Sequence, residues 1–158
     1  METIRLTVGQ AIIKYLNNQY IQTNEGEQKF INGAFGIFGH GNVTCIAEAL
    51  YDIKDEFPTY RGQNEQSMAL ASIAYARAKN REQIMLVTTS VGPGATNMVT
   101  AAGVAYTNSL PLLMISGDVF DSRLSHPVLQ QIESENDGTN SASDCFKPIV
   151  KHWDRITN

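Results

Sequence analysis

Apolar positions recur along this chain with more than one period. Ile12, Ile13, Leu16 and Tyr20 fall at offsets of 0, 1, 4 and 8, one face of a 3.6-residue repeat. Residues 7–21 are therefore predicted helical, with Thr7 as N-cap. The polar run 23–28 reads as a loop, and the apolar run 34–38 as a buried strand. Residues 43–51 carry Ile46, Ala47 and Leu50 at helical spacing. A short strand is expected at 57–61, and Pro58, which has no N–H to give to a ladder, confines it to a sheet edge or to the strand's start. Residues 64–79 form a helix whose alanines at 69, 71, 74, 76 and 78 suit close approach to a sheet. Ile84–Val87 and Leu112–Ile115 read as fully buried strands, separated by a helix over 95–106. From about 122 to 144 the chain is polar, with one short helix expected around Val128 and Leu129. The tail 146–156 is expected to supply a last strand or a docking segment.

Continuous apolar strands alternating with helices predict an α/β fold, a parallel sheet with helices on both faces. At 158 residues, residues 1–158 are expected to form a single domain. With 42% hydrophobic and 18% charged residues, the chain has material for a core and too little charge for disorder. The net charge of −4 argues against nucleic acid or an anionic membrane surface as partner. No apolar run reaches the ~20 residues of a membrane span. The N-terminus lacks the apolar stretch of a signal peptide. Cys45 and Cys145 make no CxxC and no zinc set, and two free thiols suit a reducing cytoplasm.

Ligands of a parallel α/β sheet bind beyond the carboxyl ends of its strands. Four segments are expected there: 39–42, 62–65, 89–94 and 117–118. The glycines at 33, 36, 39 and 41 make neither GxGxxG nor a phosphate-binding P-loop, and a tight strand-to-helix turn explains them most simply. Ser90 to Asn97, with Gly92-Pro93-Gly94, reads equally as an anion site at a helix start or as plain helix initiation. Glu65 follows the good N-cap Asn64, so its carboxylate falls in a helix's first turn. On spacing alone, a solvated carboxylate complementing the helix dipole is the simpler account. His40, His126 and His152 form no metal triad, and there is no GxSxG nucleophile elbow.

Two longer stretches carry more. Tyr60-Arg61-Gly62-Gln63-Asn64-Glu65-Gln66-Ser67-Met68-Ala69, followed by the segment 88–118 with its GPGATN, resembles the pyrimidine-binding domain of thiamine-diphosphate enzymes. The general likeness is to the acetolactate synthase group. That group usually shows histidine before the glutamate and a Tyr-Pro-Gly-Gly turn, where this chain has Asn64 and Gly39-His40-Gly41. Those departures, with Phe35 to Val43, Gly117 to Phe120, Pro127 to Gln131 and Asp144 to Pro148, resemble instead a branch that opens a cyclic 1,2-diketone by C–C bond hydrolysis in inositol catabolism.

The resemblance implies thiamine diphosphate and Mg²⁺ as cofactors and Glu65 as catalytic, sharing a proton with the pyrimidine ring nitrogen. It places Pro93 and Asn97 along the pyrimidine and Gly39 and Gly41 at the turn that approaches it, with His40 and Gln130 near the substrate. The family's diphosphate and metal motif, GDG followed by asparagine, is missing; Gly117-Asp118-Val119 stands at the wrong place. The chain is thus expected to be the pyrimidine half of an enzyme and inactive alone. Its expected partners are a small cyclic diketone substrate and a diphosphate domain from the same or a second chain, in a homo-oligomer. The alternatives are an acetolactate synthase-like C–C bond enzyme, a nucleotide- or phosphate-binding module built on Gly92–Gly94, and a non-catalytic assembly domain.

Overall fold

A computed structural model of the chain describes residues 3–120 and 129–156. Helix α1 is Val8–Asn17. Thr7 caps it in a reciprocal box, its hydroxyl accepting from the Gln10 amide while Gln10 Oε1 accepts from the Thr7 amide. The helix stops short of residue 21. Asn18 leaves helical geometry, and strands β1 (Tyr20–Thr23) and β2 (Gly26–Lys29) pair as an antiparallel hairpin. The predicted polar loop is therefore the turn and second strand of that hairpin. Gly26, at φ 121°, supplies the left-handed turn position, and Thr23 Oγ1 donates 2.9 Å to the Gly26 carbonyl.

Four further strands form the central sheet: β3 (Ile31–Gly36), β4 (Thr59–Arg61), β5 (Ile84–Thr89) and β6 (Leu113–Ser116). Their order is β4-β3-β5-β6 and every pairing is parallel. Alternating side chains of the sheet enter two cores. On one face Ala34, Ile84 and Leu86 meet Ile13 and Leu16 of α1, and Ile46, Ala49 and Leu50 from a π-helical turn (Val43–Ala47) running into α2 (Glu48–Asp52). On the other, Val87 meets α3 (Glu65–Ala78), α4 (Pro93–Thr96), α5 (Val99–Thr107) and Phe146 of a 3₁₀ helix (Ala142–Ile149). The expected parallel sheet with helices around it is thus present.

Several details differ from expectation. Only Ala69 and Ala76 of α3's alanines are buried; they share the contact face with Met68, Ser72 and Ile73, and the Ser72 hydroxyl donates 2.8 Å to the Met85 carbonyl. The single helix expected over 95–106 is two helices, because Pro93 starts α4 two residues early and the chain breaks at Asn97 and Met98. Strand β6 is half-buried rather than fully buried, since it lies at the sheet's edge. Strand β4 holds the opposite edge and begins one residue after Pro58, so both places that Pro58 allows are met. Val128 of the expected short helix lies outside the described residues; Leu129 and Gln130 form a turn. No described helix is long and apolar enough to cross a membrane.

The tail docks through side chains and adds no strand. Trp153 Nε1 donates 2.9 Å to the Ser143 carbonyl. The Arg155 guanidinium donates to Asp118 Oδ2 at 3.1 Å and Ser141 Oγ at 2.7 Å, and lies 3.4 Å from Asp144 Oδ1. Lys147 pairs with Asp144 at 3.0 Å and sits over the Trp153 ring, 4.3 Å from its centroid. Burial pushes the Asp144 carboxyl up, but the Ser141 N–H, Lys147 and Arg155 outweigh it and hold it below the ordinary carboxylate range. A group depressed in the folded state stabilises above its unfolded pKa and loses that stabilisation as pH falls through its folded value. Acidification below about pH 4 is therefore expected to loosen the tail. Fluorescence of Trp153, the one tryptophan, reads this out. Asp144→Asn should show the loosened emission at neutral pH already and lack the Asp144 part of the acid transition.

Candidate functional site

Because the four strands of the sheet are parallel, their carboxyl ends open at one edge, bringing the predicted loop segments to the same side. Glu65 is the first residue of α3. Asn64 Oδ1 caps that helix by accepting 2.9 Å from the Ser67 amide, which fixes where α3 begins and so where Glu65 points. Glu65 is half-buried, and its Oε2 accepts 2.7 Å from Asn97 Nδ2. Asn97 is the C-cap of α4, held by its own amide donating 3.0 Å to the Pro93 carbonyl. Among the described residues Glu65 Oε1 has no hydrogen-bond donor.

Gly94 lets these groups meet. A Cβ on it would stand 2.5 Å from Ser90 Oγ, 2.7 Å from Thr89 Oγ1 and 3.4 Å from Glu65 Oε1. Thr89 is fully buried, and its hydroxyl has no hydrogen-bond partner among the described residues. A carboxylate oxygen and a buried hydroxyl thus stand beside one bare Cα.

A second turn faces this one across the end of β5. The Gly39 amide donates 2.8 Å to Asn42 Oδ1, and Asn42 Nδ2 donates to the Ile37 carbonyl at 3.2 Å and to Thr88 Oγ1 at 3.3 Å. Asn42 is only 1% exposed and is the side chain that shapes the turn. Asn42 lies within the expected site segment 39–42, and an asparagine three residues after a glycine, before a helical turn, is its signal in the sequence. Gly41 has φ 85°, and a Cβ there would meet Val91 Cγ1 at 2.7 Å and Gly117 Cα at 2.9 Å. The His40 carbonyl accepts 3.1 Å from the Val91 amide, while its residue is exposed. Gln130 Oε1 lies 3.6 Å from the Cβ position of Gly39, and the Gln130 carbonyl covers Gly92.

The structure therefore brings Glu65, Asn97 and the start of α4 at Pro93 directly together. It sets Gly39, Gly41, His40 and Gln130 on the loops beside them. The anion-site reading of Gly92–Gly94 loses ground: α4 has four residues, and an acceptor carbonyl already covers its start. No group of three or more His, Cys, Asp or Glu among the described residues is arranged to hold a metal. A cavity of about 1080 Å³ runs along the edge strand β6 past Met114, Phe146 and Trp153 and reaches Gly41 at one end; Glu65 does not line it.

The crowding at Gly94 yields a test. Gly94→Ala is expected to destabilise the fold by about 1–3 kcal/mol in urea denaturation, the usual cost of overpacking. Gly103, in the middle of α5 with nothing within 4 Å of its Cβ position, is the control. Gly103→Ala should be neutral or stabilising by up to about 1 kcal/mol.

Comparison with known proteins shows the family. The family model described as "Thiamine pyrophosphate enzyme, N-terminal TPP binding domain" matches residues 6–137. A 3D-(3,5/4)-trihydroxycyclohexane-1,2-dione hydrolase of Geobacillus thermodenitrificans (strain NG80-2) is 52% identical over 156 residues, 99% of this chain and 24% of that protein. A protein of the same name from Bacillus thuringiensis (strain Al Hakam) is 50% identical over the same lengths. The chain thus spans about a quarter of the length of these curated relatives. With the family model covering most of its length, the chain belongs to the thiamine pyrophosphate enzymes and matches their N-terminal TPP binding domain.

Proposed function

We propose that this chain holds the pyrimidine of thiamine diphosphate in a hydrolase that opens a cyclic 1,2-diketone, the reaction named for its relatives. The observation that carries the reading is the half-buried Glu65 carboxylate, one oxygen held by Asn97 and the other free at the crevice. When bound, thiamine diphosphate supplies a nucleophilic carbon and an electron sink for C–C bond cleavage.

The chain's own part is orientation and proton control. Glu65 Oε1 takes the ring nitrogen and shares a proton there. Pro93 would line the ring, with Asn97 standing beside Glu65. The turn at Gly39 and Gly41 would approach it, its backbone kept bare by the close packing on Val91 and Gly117. His40 and Gln130, on adjoining loops, face the substrate side.

The diphosphate and its Mg²⁺ belong to a further domain, of the same or a second chain, that closes over this edge in a homo-oligomer. A reducing cytoplasm suits Cys45 and Cys145, both free.

Glu65→Gln keeps shape and removes the acid–base group. In the complete enzyme it is expected to leave the circular dichroism spectrum unchanged and to cut turnover at least ~10²-fold, the usual scale for a positioned acid or base. Near-normal turnover in a cofactor-saturated variant would remove Glu65 from the mechanism. The 158-residue chain alone should bind thiamine diphosphate only weakly, because the ligand's charge sits on a diphosphate that these residues do not hold. Calorimetry showing micromolar binding, with or without Mg²⁺, would contradict this division of labour.

A further inference from the structure

We infer that Asn97 is a positioning residue acting through Glu65: it holds one carboxylate oxygen so that the other is presented to the ring. This rests on the reading of Glu65 given above and assigns Asn97 a different part from a direct ring contact. Three features support it. The Asn97 Nδ2–H to Glu65 Oε2 bond is short, at 2.7 Å. Asn97 cannot easily turn elsewhere, because the α4 turn pins its backbone through the Pro93 carbonyl and Met98, next in sequence, is fully buried. One of its two Nδ2 hydrogens is already engaged by Glu65.

The geometry also explains why the two residues lie on different helices. Glu65 starts α3 and Asn97 ends α4, 32 residues apart in sequence, and both helices cover the same face of the sheet. A carboxylate on a first helical residue has several staggered rotamers open to it. A fixed donor on a second helix selects one of them. Gly94, between the two, leaves the space that the selected rotamer occupies, with Glu65 Oε1 3.4 Å from its Cβ position. Geometry set before the ligand arrives spares the ordering cost on binding.

A double-mutant cycle in the complete protein tests this. Thiamine diphosphate affinity, with Mg²⁺ present, is measured by calorimetry for wild type, Asn97→Ala, Glu65→Ala and the double variant, with thermal unfolding on each. Asn97→Ala is expected to weaken binding about tenfold, the scale of one hydrogen bond to a charged group. In the Glu65→Ala background the same change should have less than about a twofold effect, because its target is gone. Asn97→Asp, of equal size but facing Glu65 with a second carboxylate, should weaken binding more than alanine does. A readout without cofactor is the side-chain amide resonance of Asn97 in selectively labelled protein, which should shift on Glu65→Ala.

Equal losses in both backgrounds would show Asn97 touching the ligand itself and overturn the proposal. So would a loss matched by a fall in unfolding temperature, or an amide resonance indifferent to Glu65. Wild-type protein that binds no thiamine diphosphate would instead overturn the assigned function, while the ligand-free resonance would still decide the Asn97–Glu65 contact.

Discussion

Parallel pairing is the constraint from which the site follows. Strands β3, β4, β5 and β6 all run the same way, so each must be followed by a return crossing over a face of the sheet. Those crossings bury both faces, and they leave every strand-to-helix turn on one edge. Ala34 and Leu86 point into one core while Val87 points into the other. Turns that are distant in sequence meet only because the strands beneath them are in register, with Phe35 opposite Val87 and Val87 opposite Met114.

Within that edge, backbone rather than side chains sets the spacing. Gly41 and Gly117 pack Cα to Cα beside Val91, and Gly94 lies against two hydroxyls and a carboxylate. Such contacts leave no room for even a methyl group, so loops that would otherwise drift are fixed relative to the sheet. Asn42 does the complementary polar work, satisfying backbone groups that the tight turn would leave buried and unpaired. Rigid placement of a carboxylate is what proton transfer needs, since reach decides before acidity does.

Much of the fold was legible wherever the cue was local. The Thr7 cap, the Asn64 cap with Glu65 behind it, the apolar run of β5 and the limit Pro58 sets on β4, an edge or a strand start, each depend on a few neighbouring residues. The hairpin over 20–29 escaped because its strands are mostly polar and only half-buried, leaving no clear alternation to read. The division of α4 from α5 and the exposure of most α3 alanines depend on what each helix packs against. The site was legible as a set of residue types through its likeness to a family, with Glu65 and Asn97 both named. Their direct bond was not, because 32 residues and a whole sheet crossing separate them. Thr89 was passed over because its lack of a partner is a property of the folded core.

The edge position of β6 has a consequence for the chain in solution. Among the described residues the strand pairs with β5 on one side only, and a cavity of about 1080 Å³ runs along its other flank. Backbone donors and acceptors on such an edge are satisfied by water or by another strand. Any polypeptide that adds there binds the folded state and not the unfolded one, so it raises the apparent melting temperature by mass action. Measured stability of this chain then becomes a function of what else is present and at what concentration, so a single unfolding free energy describes it only at a stated composition.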